Sequence, residues 1–204
     1  MRMKNPLFGL VVMLGAVSGA HGQVRPSDPL QAATQCFHGG EFDYKNIDRL
    51  PATARFRTVD LQAGPAQVST ADGYRLMIYA KGTRPLVNLK IERSAEGKYA
   101  ADRAVITAQM AELAGAVKPP FSMRVETSTQ DGIDVMAINN PSIEHSPGVI
   151  SFYTLLEPRS GTIATAYLLN QQRDLREFAN DAEYVALRDR FISALTACMT
   201  RTLQ

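Results

Sequence analysis

The densest apolar patterning lies between residues 149 and 199. Residues 149–156 read Val-Ile-Ser-Phe-Tyr-Thr-Leu-Leu, and residues 162–169 read Thr-Ile-Ala-Thr-Ala-Tyr-Leu-Leu. Both runs are rich in β-branched and aromatic residues. They flank five residues containing Pro158 and Gly161, a combination that predicts a hairpin. Ile150, Phe152 and Leu156 are expected on one face, and Val149, Tyr153 and Leu155 on the other. A strand that is apolar on both faces needs cover on both, so this hairpin is expected mid-sheet between two layers. After a polar loop, Tyr184, Leu187, Phe191, Leu195 and Cys198 recur in steps of 3, 4, 4 and 3, the stripe of an amphipathic helix. Asn180 is its expected cap, with Glu183 at capping-box spacing.

Upstream the patterns are weaker. Asp28 followed by Pro29 predicts a helix start, with Asp28 as the cap, and Gly39-Gly40 a stop after Phe37. Residues 41–51 show no clear period and are expected to be loop. Strands are expected at 54–61, at 74–80 and at 86–93. In the last of these, Val87, Leu89 and Ile91 alternate with Asn88, Lys90 and Glu92. Residues 81–85 would form the turn before it. A helix is expected over 98–117, with a stripe of Tyr99, Ile106, Met110, Leu113 and Val117 and with Asp102 off that stripe. Pro119-Pro120 would stop it. Strands at 121–129 and 133–139 flank Gln130-Asp131-Gly132, a second hairpin signal.

Composition changes the picture in two places. Arg2 and Lys4 precede an apolar run over residues 7–17 and small residues at Ser18-Gly19-Ala20 and Gly22, which together predict a signal peptide over 1–22. The run is short for a membrane span, although a retained anchor is the alternative. The full chain carries 22 Lys+Arg against 20 Asp+Glu. Without Arg2 and Lys4 the balance is even, so no basic footprint for nucleic acid is left. The 182 residues remaining from 204 suit one domain with a sizeable core. Only Cys36 and Cys198 are present. Export would place them in an oxidising compartment, where a disulfide is expected. The alternative is two buried thiols acting as small apolar residues.

These elements imply an α+β fold: a mostly antiparallel sheet covered by helices, an α/β/α sandwich. Residues 1–22 would be the signal peptide, 23–53 an N-terminal arm with a short helix, and 54–204 the sandwich domain. The arm would be stapled by the Cys36–Cys198 disulfide. Three features together resemble the PsbP-like α/β/α sandwich family: the Asp131-Gly132-Ile133 hairpin, the long hairpin over 149–169, and the closing helix with Tyr184, Leu187 and Phe191. The resemblance covers residues 54–200 and is one of pattern. It implies a binding, assembly or chaperone-like role, and it carries no functional residue across. The arm with Cys36 departs from the pattern.

Few residues point to chemistry. The mature chain has two histidines, His38 and His145, too few and too far apart for a metal site. Neither a metal nor a cofactor is expected. Cys36 and His38 could form a thiol–imidazole pair, but a disulfide would consume the thiol. There is no G-x-S-x-G around Ser146, nor a phosphate-binding loop. Glu126, Asp131 and Asp134 could share a cleft as glycosidase carboxylates do, although hairpin residues of this kind are ordinarily turn and solvent-face groups. The Met residues Met77, Met110, Met123 and Met136 suit core positions. Two loops are candidate partner-binding surfaces. One spans 140–147, with an exposed Ile143 beside Glu144 and His145; the other spans 170–177, with Arg173, Asp174, Arg176 and Glu177. The expected function is a periplasmic, non-catalytic protein-interaction module that binds another periplasmic protein. It would be an immunity-type inhibitor of a toxin or an envelope chaperone or assembly factor. A small-molecule or lipid carrier is the alternative.

Overall fold

Among the described residues, nine strands and three α-helices follow one another along the chain in the computed structural model. It describes residues 28–37, 39–50, 57–69, 72–80, 84–116, 123–140, 142–145, 148–171 and 176–203. Residues 1–22, where a signal peptide is expected, His38, residues 54–56 and 81–83, Val117, the expected Pro119-Pro120 stop, residues 121–122, Ser146, Arg173 and Asp174 lie outside the described residues.

The helix α1 spans Pro29–Gln35. Its start is the one the sequence predicts: the Leu30 amide donates to the Asp28 carboxylate at 3.1 Å, and Pro29 supplies a first residue that needs no N–H partner. The strands β1 (Asp43–Leu50), β4 (Asp72–Tyr79) and β5 (Val87–Arg93) form one flank of the main sheet. The other flank is β6 (Glu126–Gln130), β7 (Ile133–Asn139) and β8 (Gly148–Glu157). Between the flanks runs β9 (Thr162–Asn170), giving the order β1-β4-β5-β9-β8-β7-β6 with every neighbouring pair antiparallel. The predicted central hairpin is therefore central, and residues 151–157 of β8 are all buried.

Both faces are covered. On one lie α1 and α3 (Asp181–Leu203), over Leu76, Leu89, Ile91, Val135, Leu155 and Ala166. The predicted α3 stripe is buried in full, and Phe191 is clasped by Phe37 and Phe42 with ring centroids 5.6 and 5.3 Å away. Cys36 and Cys198 form a disulfide with Cα atoms 5.8 Å apart, which fastens the end of α1 to the last turns of α3. On the other face lie α2 (Tyr99–Gly115) and a separate hairpin of β2 (Arg57–Leu61) and β3 (Gly64–Val68), over Met136, Ile138, Phe152, Leu156 and Ile163. The fold is a single-domain α+β sandwich, as its sequence pattern predicts.

Several local expectations need correction. Residues 43–50 are not loop but the edge strand β1, held by its pairing with β4. A fifth strand before α2, β3, closes back on β2 across Gln62 and Ala63. Ile150 packs on the α3 side with Tyr153 and Leu155, not with Phe152 and Leu156. A register shift between Val149 and Ser151 places two consecutive residues on one side, as a β-bulge does. In α2, Leu113 is exposed, whereas Asp102 is buried. Asp102 accepts from the Ser69 amide at 2.9 Å and from its hydroxyl at 2.6 Å, tying the end of β3 to the helix. A buried carboxylate is tolerated when it is hydrogen-bonded in this way.

Candidate functional site

The described residues of the two loops singled out by sequence meet in space, Ile143 and Glu144 of one with Asn170 and Arg176 of the other. Residues 143–145 form a short 3-10 turn between β7 and β8, ending in His145. Its backbone is held on both sides. The Ile143 amide donates to the Asp181 carboxylate at 2.9 Å, and the Ile143 carbonyl accepts from the Asn170 side chain at 2.8 Å. Arg176 closes the cluster by donating to the Asn170 side chain and the Gln171 carbonyl, both at 3.1 Å, and by pairing with Glu144 at 2.9 Å. The Arg176 side chain is largely buried, while that of Glu144 is 55% exposed.

Ile143 is 2% exposed, which corrects the expectation of an exposed apolar residue. Its burial comes from the α3 side of the core, created by residues about thirty or more positions away. The start of α3 is fixed nearby. The Glu183 amide donates to Asn180 at 3.0 Å, and the Glu183 carboxylate accepts from the Ala179 amide at 2.7 Å, a capping box displaced by one residue on its return arm.

The carboxylates of the β6–β7 hairpin do not converge. Glu126 lies across from Ala137, on the α3 face, and accepts from Asn139 at 3.0 Å. Asp134 points to the α2 face, where it pairs with Arg103 at 2.9 Å and accepts from Thr129 at 3.2 Å. The sheet separates the two, so they cannot flank one scissile bond.

Sequence reasoning passed over the outer edge of the sheet. Two open clefts lie on either side of β6. The α3-face cleft, about 340 Å³, is walled by Glu126, Ser128, Asn139, Tyr153, Arg188 and Asp189. Burial raises the pKa of the Tyr153 phenol, with Arg188 acting in the opposite direction. Arg188 itself pairs with Asp189 at 2.8 Å. The α2-face cleft, about 410 Å³, is walled by Arg103, Thr107, Thr129, Asp134, Met136 and Leu156. Residues 126–129 of β6 are exposed throughout. A short, uncharged run such as Thr127-Ser128-Thr129 has no apolar period, so only the strand order reveals it as an edge.

These features define an antiparallel α/β/α sandwich closed by a disulfide, with one pinned loop and one open sheet edge. No family model, curated protein or solved structure matches the chain. Among the described residues no helix is long and apolar enough to cross a membrane.

Proposed function

We propose that this chain is an exported, periplasmic protein-interaction module without catalytic activity, of the immunity-inhibitor or envelope chaperone and assembly type. The observation that carries the reading is the pinned turn: Ile143 is fixed through both its amide and its carbonyl, so Glu144 is presented from a backbone held on both sides. A loop already ordered before binding loses little conformational freedom when a partner docks. Export is supported by the basic start and apolar run of residues 1–22, and by a disulfide of the kind that persists in oxidising compartments. The resemblance to PsbP-like sandwiches points the same way. A carrier would need an apolar chamber between layers; here the interlayer side chains form two packed clusters, and the clefts open outward with charged walls.

The test uses the oxidised mature chain as bait in a periplasmic extract, beside a Glu144→Gln variant, which removes the charge but keeps an acceptor for Arg176 and so leaves the turn in place. The expected result is one stoichiometric protein retained by the wild type and reduced at least about tenfold on the variant, the scale of a lost interfacial ion pair. Identical retention by both baits would remove the pinned turn as the recognition surface. A bait that retains no protein but releases a small molecule on denaturation would overturn the module reading in favour of a carrier.

A further inference from the structure

The two edges of the seven-stranded sheet are built differently. At the β1 edge the register slips between Tyr44 and Ile47, Lys45 sits 4.6 Å from the Tyr79 ring centre, and Asp48 and Arg49 follow. A bulge and a row of charges are the devices by which sheets refuse an added strand. The β6 edge has neither. Its register with β7 runs unbroken from Glu126 opposite Ala137 to Gln130 opposite Ile133, and its middle residues are Thr127, Ser128 and Thr129. Among the described residues no strand lies beyond it.

We propose that two copies of this chain pair through β6, antiparallel about Ser128, joining their sheets into one continuous sheet. The inference is independent of the pinned turn and its partner.

Backbone geometry selects the register. Asp131 and Gly132 have φ of 51° and 80°, the left-handed pair of a two-residue type I′ turn. Such a turn closes on a hydrogen-bonded pair, here Gln130 and Ile133, and bonded and non-bonded pairs alternate from there. Glu126, Ser128 and Gln130 therefore direct their N–H and C=O groups inward to β7. Thr127 and Thr129 direct theirs outward. Pairing about Ser128 sets Thr127 of each copy against Thr129 of the other, so all the outward groups of these two residues are satisfied. It sets Glu126 against Gln130, which opposes no like charges, and it forms facing threonine pairs on the α2 side, a favourable cross-strand combination. It also carries the exposed Arg124 of one copy towards the end of the other strand, where Asp131 begins the turn. Sliding the register to centre on Thr127 would bring the two Glu126 carboxylates diagonally together. The Ser128 register keeps them apart.

The pairing makes a sharp geometric demand. Ser128 faces its own copy in a non-hydrogen-bonded pair, with Cα atoms about 4.5 Å apart, a separation that a disulfide can bridge. Glu126 lies on the same face but two residues further from the two-fold axis, beyond bridging distance of its own copy. The experiment compares the oxidised mature protein with Ser128→Cys, Glu126→Cys and Thr127→Pro by sedimentation velocity over a concentration series, and by non-reducing electrophoresis after mild oxidation. The wild type is expected to dimerise with concentration. Ser128→Cys is expected to form covalent dimer at least tenfold faster than Glu126→Cys. Thr127→Pro removes an N–H that β7 does not use, so it is expected to be monomeric with an unchanged circular dichroism spectrum. A wild type that remains monomeric throughout would overturn the proposal, as would a dimer that survives Thr127→Pro or equal cross-linking of the two cysteine variants. So would a monomer whose Ser128→Cys cross-links in a periplasmic extract to a different protein, which would assign the edge to a foreign strand.

Discussion

Replacing Cys36 and Cys198 together by alanine is expected to lower stability by about 3–5 kcal/mol, and to do so mainly through the unfolded state. The bridge joins residues 162 positions apart, and chain-entropy accounting for a closed loop of that length gives about 5 kcal/mol at 25 °C, a figure measured losses seldom exceed. The folded state has other means of holding α1. Leu30, Ala33 and Phe37 are buried, Phe37 stacks on Phe191, and Arg93 pairs with Asp28 at 3.1 Å. The helix should therefore stay docked without the bridge, although at seven residues it would not persist alone. Equilibrium urea unfolding of the oxidised wild type and the double variant, followed by far-ultraviolet circular dichroism, separates the two effects. The expected variant shows one transition at a lower midpoint with a steeper denaturant dependence, because an unbridged unfolded chain exposes more surface. Equal midpoints would refute the entropic account. Two transitions, the first small, would move the effect into the folded state by showing that α1 leaves first.

Other perturbations follow from the same geometry. Asp102→Ala should cost about 2–3 kcal/mol by stranding the Ser69 amide inside the fold, read as a lower melting temperature together with faster amide exchange in β2 and β3; a loss below about 0.5 kcal/mol would contradict it. Gly73→Ala should cost about 1–3 kcal/mol, because a methyl group there would meet the Ile91 carbonyl at 2.9 Å and the Leu50 side chain at 3.0 Å; an unchanged urea midpoint would contradict it. Stability should fall in alkali. Burial raises the phenol pKa of Tyr99 to about 12 and also raises those of Tyr153 and Tyr184. Unfolded tyrosines release their protons near pH 10, so stability is level below that pH and declines as pH rises through 10–12. Tyr184→Phe should flatten the decline in urea midpoints measured from pH 9 to 11.5.

Much of this architecture was legible in the order of residues, for identifiable reasons. The β8–β9 hairpin and the α3 stripe carry large apolar side chains at a regular period, and the two cysteines had only each other to pair with. The misread places share one property: their signal is created by neighbours distant in sequence. The strand β1 contributes little to the core, with Ile47 left 37% exposed, so no period marks it. The strand β3 contains Pro65, which argues against a strand in sequence yet is accommodated in a two-stranded ribbon. Ile150 followed the alternation until a bulge reversed it. Ile143 reads as exposed between polar residues because Asn170, Arg176 and Asp181, which enclose its backbone, come much later in the chain. The open edge at β6 is polar and short, and strand order cannot be read from composition.

The place of β9 in the sheet sets the timing of folding. This strand begins at residue 162, yet it lies between β5 and β8 and is hydrogen-bonded to both. Until it is available, β1, β4 and β5 form one fragment, β6, β7 and β8 another, and nothing joins them within the sheet. The helix that covers one face follows later still. Contacts closed over such long stretches of chain form slowly. A chain whose residues 162–170 have yet to join the sheet therefore remains two half-sheets with open inner edges. That interval is the one in which a holding chaperone has most to protect.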